Sequence, residues 1–500
     1  MIPRLDLDGV ASLHAARWPD PPERPPLSPF QPRRALRHLR VVVDVDALAD
    51  DGTDPWSTRR LVTGLLRHPF LQVSRYRDAG PPTDAPMHQV PHGLAKARGW
   101  ITLVDDPAIE PGDFWYSDGE ELIFTGYLPD NAAWVAAAIA TAYADLDPAE
   151  AAWRRRSDGV AMAVARAIGP DLFITDRAHL LDLGAKERGL TVCDVTGALA
   201  LLGLYLRGQD DYRIWFDPDG QFTFRLGKEM FFWVAGRGLL PEGWRWVAAC
   251  SQHADGAGDD TLRYLALSTL ERTVQVLKNR DLVHRALNQP QNGGRAGTDA
   301  IDAFEIALTM LMAALDITAV VANRVIGLTV ADRYAGWQNP GWISQVTPIA
   351  PALAALVAPG TAARHALTIL QHLRNSIHGV ALHGTGVERA GQARRMLMGL
   401  PRAKQADLIA AINALGGQAQ WGVEVLHAND FHVDPGILLD RLLPYLCDLL
   451  NAVMRETPVE TLANVKLSPP DLVPPQHGVG GVTDRFSHPQ WTCVRALLGL

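Results

Sequence analysis

Cysteine is scarce. The 500-residue chain has four, Cys193, Cys250, Cys447 and Cys493, with no C-x-x-C pair and no histidine at zinc-binding spacing. That argues against a disulfide frame or a thiolate metal site and for a reducing compartment. Long apolar runs are missing as well: no stretch of about 18 apolar residues without charge occurs. Asp6, Asp8 and His14 interrupt the start where a leader peptide would need an apolar core. A cytoplasmic protein with no membrane partner is expected. There is no surplus of basic charge, the net being -8, so a polyanion has to be held by local basic clusters or by metal ions. The phosphate-binding G-x-x-x-x-G-K-[ST] loop, the G-x-G-x-x-G turn, the G-x-S-x-G elbow and the H-E-x-x-H helix are all absent.

What is present is a globular composition, 47% hydrophobic and 20% charged, in a chain too long for one ordinary core. Residues 1–35 hold the run "WPDPPERPPLSPFQPRR" and read as an extended lead-in. In "LRVVVDVDAL", three valines between charges predict a short buried strand. A helix is expected over 55–68. After an irregular stretch, "FWYSDGEELIFTGY" reads as a hairpin around Asp118-Gly119. Helices over 131–145 and 158–168, a strand over 171–175, a helix over 178–187, a strand over 190–193 and a helix from 196 follow. This alternation predicts an α/β domain over 36–205 with a mostly parallel sheet. Residues 206–298 read as a mixed connecting region that ends in the loop "QPQNGGRAG". Over 299–460 the pattern is helical nearly throughout, around the apolar "AIDAFEIALTMLMAALDITAVVANRVIGL", so a mainly α-helical C-terminal domain is expected. Residues 461–500 read as an extended tail.

Carboxylates stand at the ends of the apolar runs. Asp44, with Asp46 two positions on, closes the first strand; Asp158 opens the helix "SDGVAMAVARAIG"; Asp176 follows Leu172-Phe173-Ile174-Thr175. The carboxyl ends of parallel strands line one edge, where ligands bind. Three carboxylates within a few ångströms of one another shift upward in pKa or take a hard cation such as Mg²⁺ or Mn²⁺. Such an ion orients water against a phosphodiester. Taken singly, each aspartate has an ordinary explanation: a cap on the helix at 178, a first-turn anion, a strand-end polar residue. Their order and spacing together favour the metal site.

That order resembles the PIN-domain family. "LRVVVDVDAL" is similar to the family's first strand, and "SDGVAMAVARAIGPDLFITDRAHLL" followed by "AKERGLTVCD" is similar to its late signature. The resemblance covers about 36–205. It implies a Mg²⁺- or Mn²⁺-dependent ribonuclease with Asp44, Asp158 and Asp176 as metal ligands; the family includes toxins paired with an inhibitor protein, a partner that this sequence does not itself specify. The family's further acidic residue has no clear match here; Glu120, Glu121 and Glu150 are the candidates.

A second constellation lies in "TAARHALTILQHLRNSIHGVAL", with Ala366, Leu370, Leu373 and Ile377 on one stripe, Thr361 as N-cap and Gly379 as C-cap. Arg374 and His378 are neighbours on one face. A guanidinium beside an imidazole can hold a phosphate while the imidazole moves a proton. The ordinary explanation is a dipole-matched helix end. "LRNSIHG" resembles the HEPN family, with a shorter Arg-to-His interval. The resemblance implies a second RNA site at Arg374, Asn375 and His378, and a homodimer in which two such helices face one another. Asp316, alone in "MLMAALDITAVV", needs a partner if buried; Arg374 and His378 are candidates. Trp337 and Trp342 are expected at a helix–helix junction. The runs "RRALRHLR" and "WRRRSD" flank two proposed ligands and offer cations for RNA phosphates.

The expected function is metal-dependent hydrolysis of RNA phosphodiesters, in defence or stress response. The alternative is a catalytically degenerate RNA-binding or assembly protein. A phosphatase with Asp44 as nucleophile is weaker, because Leu48 stands where that D-x-D loop wants Thr or Val.

Overall fold

A computed structural model describes residues 2–5, 38–49, 54, 57–77, 100–103, 114–117, 122–125, 140–168, 170–184, 191–216, 223–289, 295–379, 381–388, 395–427, 430–472 and 488–500. β1 (Leu39–Asp44), β2 (Leu71–Arg77), β3 (Trp100–Leu103), β4 (Phe114–Ser117), β5 (Leu122–Thr125), β6 (Leu172–Ile174) and β7 (Thr191–Cys193) form one sheet in the order β5-β4-β3-β2-β1-β6-β7. The strands from β3 through β2, β1 and β6 to β7 are parallel, and β4 and β5 add an antiparallel hairpin at one edge. Val41, Val43, Leu172 and Ile174 are fully buried, as an apolar run covered on both faces of a parallel sheet requires. The helices around this sheet are α1 (Thr58–Leu65), α2 (Pro148–Ile168), α3 (Ala178–Gly184) and α4 (Val195–Gly208). The chain runs outward from β1 to β2 on one side and from β6 to β7 on the other. The β1/β6 junction is therefore the point where strand order reverses, the usual place for a ligand crevice.

The second half is built on α5 (Lys228–Leu239), α6 (Glu242–Ala257), α7 (Thr261–Leu287), α8 (Arg295–Val325), α9 (Pro340–Val346), α10 (Pro351–Leu356), α11 (Ala362–Ile377), α12 (Gln405–Ala414), α13 (Pro435–Glu456) and α14 (Pro469–Leu472). Residues 206–298 are not a separate connector: α5, α6 and α7 share one continuous core with α8, α11 and α13. Nor is the pattern helical throughout. β10 (Gly384–Val387), β11 (Arg395–Gly399), β12 (Val423–His427) and β13 (Asp430–Val433) form a small antiparallel sheet inside the region. Strands of four or five residues carry too little alternation to stand out from flanking helices. A separate hairpin, β8 (Tyr212–Phe216) with β9 (Thr223–Leu226), precedes α5. Among the described residues α8 alone is long and apolar enough to cross a membrane; Phe304, Leu308, Leu311 and Leu315 bury it in the protein's own core.

The tail ends in a helix, α15 (His488–Leu498), which joins the two cores. Cys493 and Leu497 enter the sheet domain's core, while Trp491, Val494 and Leu498 enter the helical one. Two buried arginines take its terminal carbonyls, which have no partner within the helix. Arg207 of α4 donates to Leu497 O (2.8 Å) and pairs with Asp281 of α7 through both oxygens (2.5 and 2.9 Å). Arg280 donates to Leu498 O (2.6 Å) and to Asp440 (2.7 Å), which also binds His284 (2.8 Å). All four cysteines are free and buried. Burial pushes the thiols of Cys250, Cys447 and Cys493 up to about 12, so they are poor nucleophiles.

Candidate functional site

The sheet brings the end of β1 and the turn after β6 side by side, because Val43 pairs with Ile174. Asp44 therefore meets Thr175 and Arg177. Thr175 Oγ1 donates to Asp44 Oδ2 (3.1 Å), and Arg177 Nε donates to the same oxygen (2.8 Å). Asp44 Oδ1 accepts from the Asp46 amide (3.3 Å), which fixes the short 3₁₀ turn over Val45–Leu48.

Asp158 arrives from α2. It does not open that helix, as its sequence context suggests, but sits in the middle of a 21-residue one. Ser157, Asp158, Ala161 and Met162 are buried together, the one-face spacing of a helix packed on its neighbour. Arg177 Nη1 donates to Ser157 Oγ (2.5 Å) and to Asp158 Oδ1 (3.1 Å). Tyr143 donates its hydroxyl to Asp158 Oδ2 (2.6 Å). The Arg177 guanidinium lies 5.5 Å from the Tyr76 ring centre, within cation–π range. One arginine thus bridges the two carboxylates.

The carboxylates are 3% and 2% exposed, and Arg177 is 16% exposed. Burial raises the pKa of Asp44, while Arg177 and Thr175 pull it back. Burial also raises that of Asp158, opposed by the Tyr143 hydroxyl and by Arg177. Tyr143 is itself raised, by burial and by its bond to Asp158. Burial thus outweighs the guanidinium at both carboxyls, and a proton is held there more tightly than in water.

Asp176 does not join them. It is 37% exposed and pairs with Arg59 (2.8 Å), whose Nε also donates to Ala47 O (3.0 Å). Glu150 lies on the outside of α2 with Arg154 (3.0 Å); Glu120 and Glu121 fall outside the described residues. The expected convergence of three carboxylates is therefore replaced by two carboxylates and an arginine. Among the described residues no group of three His, Cys, Asp or Glu side chains is placed to hold a metal. A divalent ion needs several oxygens aimed at open space about 2.0–2.6 Å away. Here Asp44 Oδ2 and Asp158 Oδ1 are taken by Arg177, and the other two oxygens by the Asp46 amide and the Tyr143 hydroxyl, so this arrangement does not fit Mg²⁺ or Mn²⁺.

The flanking basic runs are also partly spoken for. Arg154 serves Glu150, and Arg155 Nη1 donates to Ala142 O (2.9 Å), holding the turn that presents Tyr143. Residues 33–37 lie outside the described set. Residues 140–145, expected as helix, form turns with Tyr143 in the left-handed region at φ 62°.

At the second constellation, Thr361 caps α11 by accepting from the Arg364 amide (3.2 Å). Ala366, Leu370 and Leu373 face the core, and the C-cap is His378 itself, one residue before Gly379. Arg374 is half-buried and donates to the Asn375 side chain (3.2 Å); Asn375 and His378 are exposed. Arg374 makes no hydrogen bond to Asp316, although its charge opposes the rise that burial imposes on that carboxyl. Trp337 and Trp342 pack edge to face at 5.0 Å and donate to α8, at Leu315 O (3.1 Å) and the Asn323 side chain (3.0 Å) respectively. They are structural.

Ser157, Thr175, Arg177 and Tyr143 were not singled out by sequence. Thr175 and Arg177 left a sign there only as the neighbours of Asp176 in the Thr-Asp-Arg run. Comparison with protein-family models, with curated proteins and with solved structures gives no match to this chain.

Proposed function

We propose that this chain binds RNA without cleaving it: a catalytically degenerate protein on a nuclease-like plan, acting in the reducing cytoplasm. One observation carries this, the guanidinium of Arg177 bonded to both Asp44 and Asp158. A cation supplied by the chain stands where a metal-dependent nuclease needs its own. The resemblance of residues 36–205 to PIN domains and of 299–460 to HEPN domains supplies the nucleic-acid context. In the helical domain Arg374, Asn375 and His378 are the RNA-facing group, presented at one helix end and doubled if two copies pair. The test is a mobility-shift and cleavage assay on single-stranded RNA with Mn²⁺ or with chelator. A shift in both conditions with intact RNA is expected; Mn²⁺-dependent fragments overturn the proposal.

The second function to weigh is Mg²⁺- or Mn²⁺-dependent RNA hydrolysis. It is favoured by the meeting of Asp44 and Asp158 at the carboxyl edge, the usual ligand edge of such sheets. In the same assay it requires cleavage that is lost in Asp44→Asn and in Asp158→Asn.

A further inference from the structure

At the opposite, amino-terminal end of β1 a cleft of about 180 Å³ opens between the sheet domain and the helical domain. Leu5, Leu39, Leu201, Leu204 and the ring of Tyr205 make it largely apolar, and Arg285 of α7 stands at its wall. Most polar groups there are already used. Tyr205 donates to Phe70 O (3.1 Å) and accepts from the Leu39 amide (3.2 Å). Asn288 accepts from the Leu5 amide (2.6 Å) and donates to His284 O (2.8 Å). Asp171 accepts from the Arg40 amide (2.9 Å). Arg285 is half-buried and has no hydrogen-bond or ion-pair partner among the described residues.

Small-molecule sites are apolar concavities at domain junctions with a few uncommitted polar groups that orient the ligand. We propose that this cleft binds a small apolar carboxylate, its body against the leucines and its carboxylate on Arg285. The two walls belong to different domains, so the ligand ties them together. A cavity of ~150 Å³ takes one benzene ring, so the body holds about six to eight non-hydrogen atoms. Leu39 and Asp44 are the two ends of β1; at about 3.3 Å per residue they lie roughly 17 Å apart. The cleft is thus a site separate from the Asp44–Arg177–Asp158 pocket, and its ligand is an effector.

The test is calorimetric titration of the full chain with benzoate, isovalerate and the neutral benzyl alcohol, repeated on Arg285→Gln after circular dichroism confirms its fold. Benzoate is expected to bind with one site and a Kd of about 0.1–1 mM, a range suited to so few atoms. Benzyl alcohol, and benzoate on Arg285→Gln, are expected to bind roughly tenfold or more weakly, the usual loss when a charge-assisted bond is removed. Absence of binding by both acids, or equal affinity of the acid and the alcohol for the native chain, overturns the proposal even if the variant does not fold. Unchanged benzoate affinity in a folded Arg285→Gln overturns it as well.

Discussion

Arg177→Met keeps the aliphatic bulk of the side chain and removes the charge that bridges Asp44 and Asp158. Both carboxyls are then left buried without that cation, 3% and 2% exposed. Removing one partner of a buried ion pair costs about 3–5 kcal/mol. At roughly 2–4 °C per kcal/mol for a unit of this size, the sheet domain should melt about 6–20 °C lower at neutral pH. The loss depends on pH, and its sign follows from the raised folded-state pKa of both carboxyls. A group of this kind contributes stability that is full below its unfolded pKa, near 4 for a carboxyl, and is lost as pH rises through the folded value. Without Arg177 both folded values climb further, each added unit being worth about 1.4 kcal/mol. The deficit of the variant should therefore be small near pH 4–5 and grow toward pH 8. Scanning calorimetry of both proteins across that range reads it directly. A variant as stable as the native chain at pH 8, or a deficit that does not change with pH, would refute the assignment of Arg177 as the bridging cation.

Asp176→Asn breaks only the exposed pair with Arg59, so it should cost under about 1 kcal/mol and leave RNA binding unchanged in a mobility shift. Asp440→Asn should destabilise the helical domain by about 3–5 kcal/mol, since it strands Arg280 in the core. Burial alone would raise the Asp440 carboxyl, but Arg280 and His284 hold it well below the usual range. Its contribution is thus present above the ordinary carboxyl pKa and lost as pH falls, so the gap between native and variant should narrow in denaturation measured from pH 7 down to pH 3. Thr361→Ala removes the α11 cap and should cost about 1 kcal/mol in chemical denaturation.

The sheet was legible where apolar runs are short and bounded by charge. "LRVVVDVD", "LFITD" and "TVCD" are β1, β6 and β7, and "FWYS" with "LIFT" pair antiparallel as β4 and β5. β2 was hidden because its own polar residues are buried: Gln72, Ser74 and Arg75 all lie inside, so "LQVSRYR" lacks the usual apolar signature. Asp158 was misplaced because Ser-Asp-Gly looks like a helix start, and an interior glycine costs a helix about 1 kcal/mol relative to alanine. Burial of Ser157, Asp158 and Gly159 in a packed face overrides that local preference. The nearness of Asp158 to Asp44 was legible only as a helix start facing the strand ends; in the structure Asp158 lies mid-helix and reaches Asp44 through Arg177. The direction of Asp176 was not legible, since neighbouring side chains after a strand diverge and Arg59 lies 117 positions away in sequence. Arg177 was missed for a related reason. Charge bookkeeping along a chain cannot say which cation will reach a buried acid; only the fold, which sets Arg177 between the end of β1 and Asp158 of α2, does.

Titration of Mn²⁺ into the native chain and into Arg177→Met, at neutral pH and followed by calorimetry, tests the central claim most directly. No saturable binding is expected for the native chain, and a new site that needs Asp44 and Asp158 is expected once the guanidinium is gone. Tight, stoichiometric Mn²⁺ binding by the native chain that is lost in Asp44→Asn would contradict it.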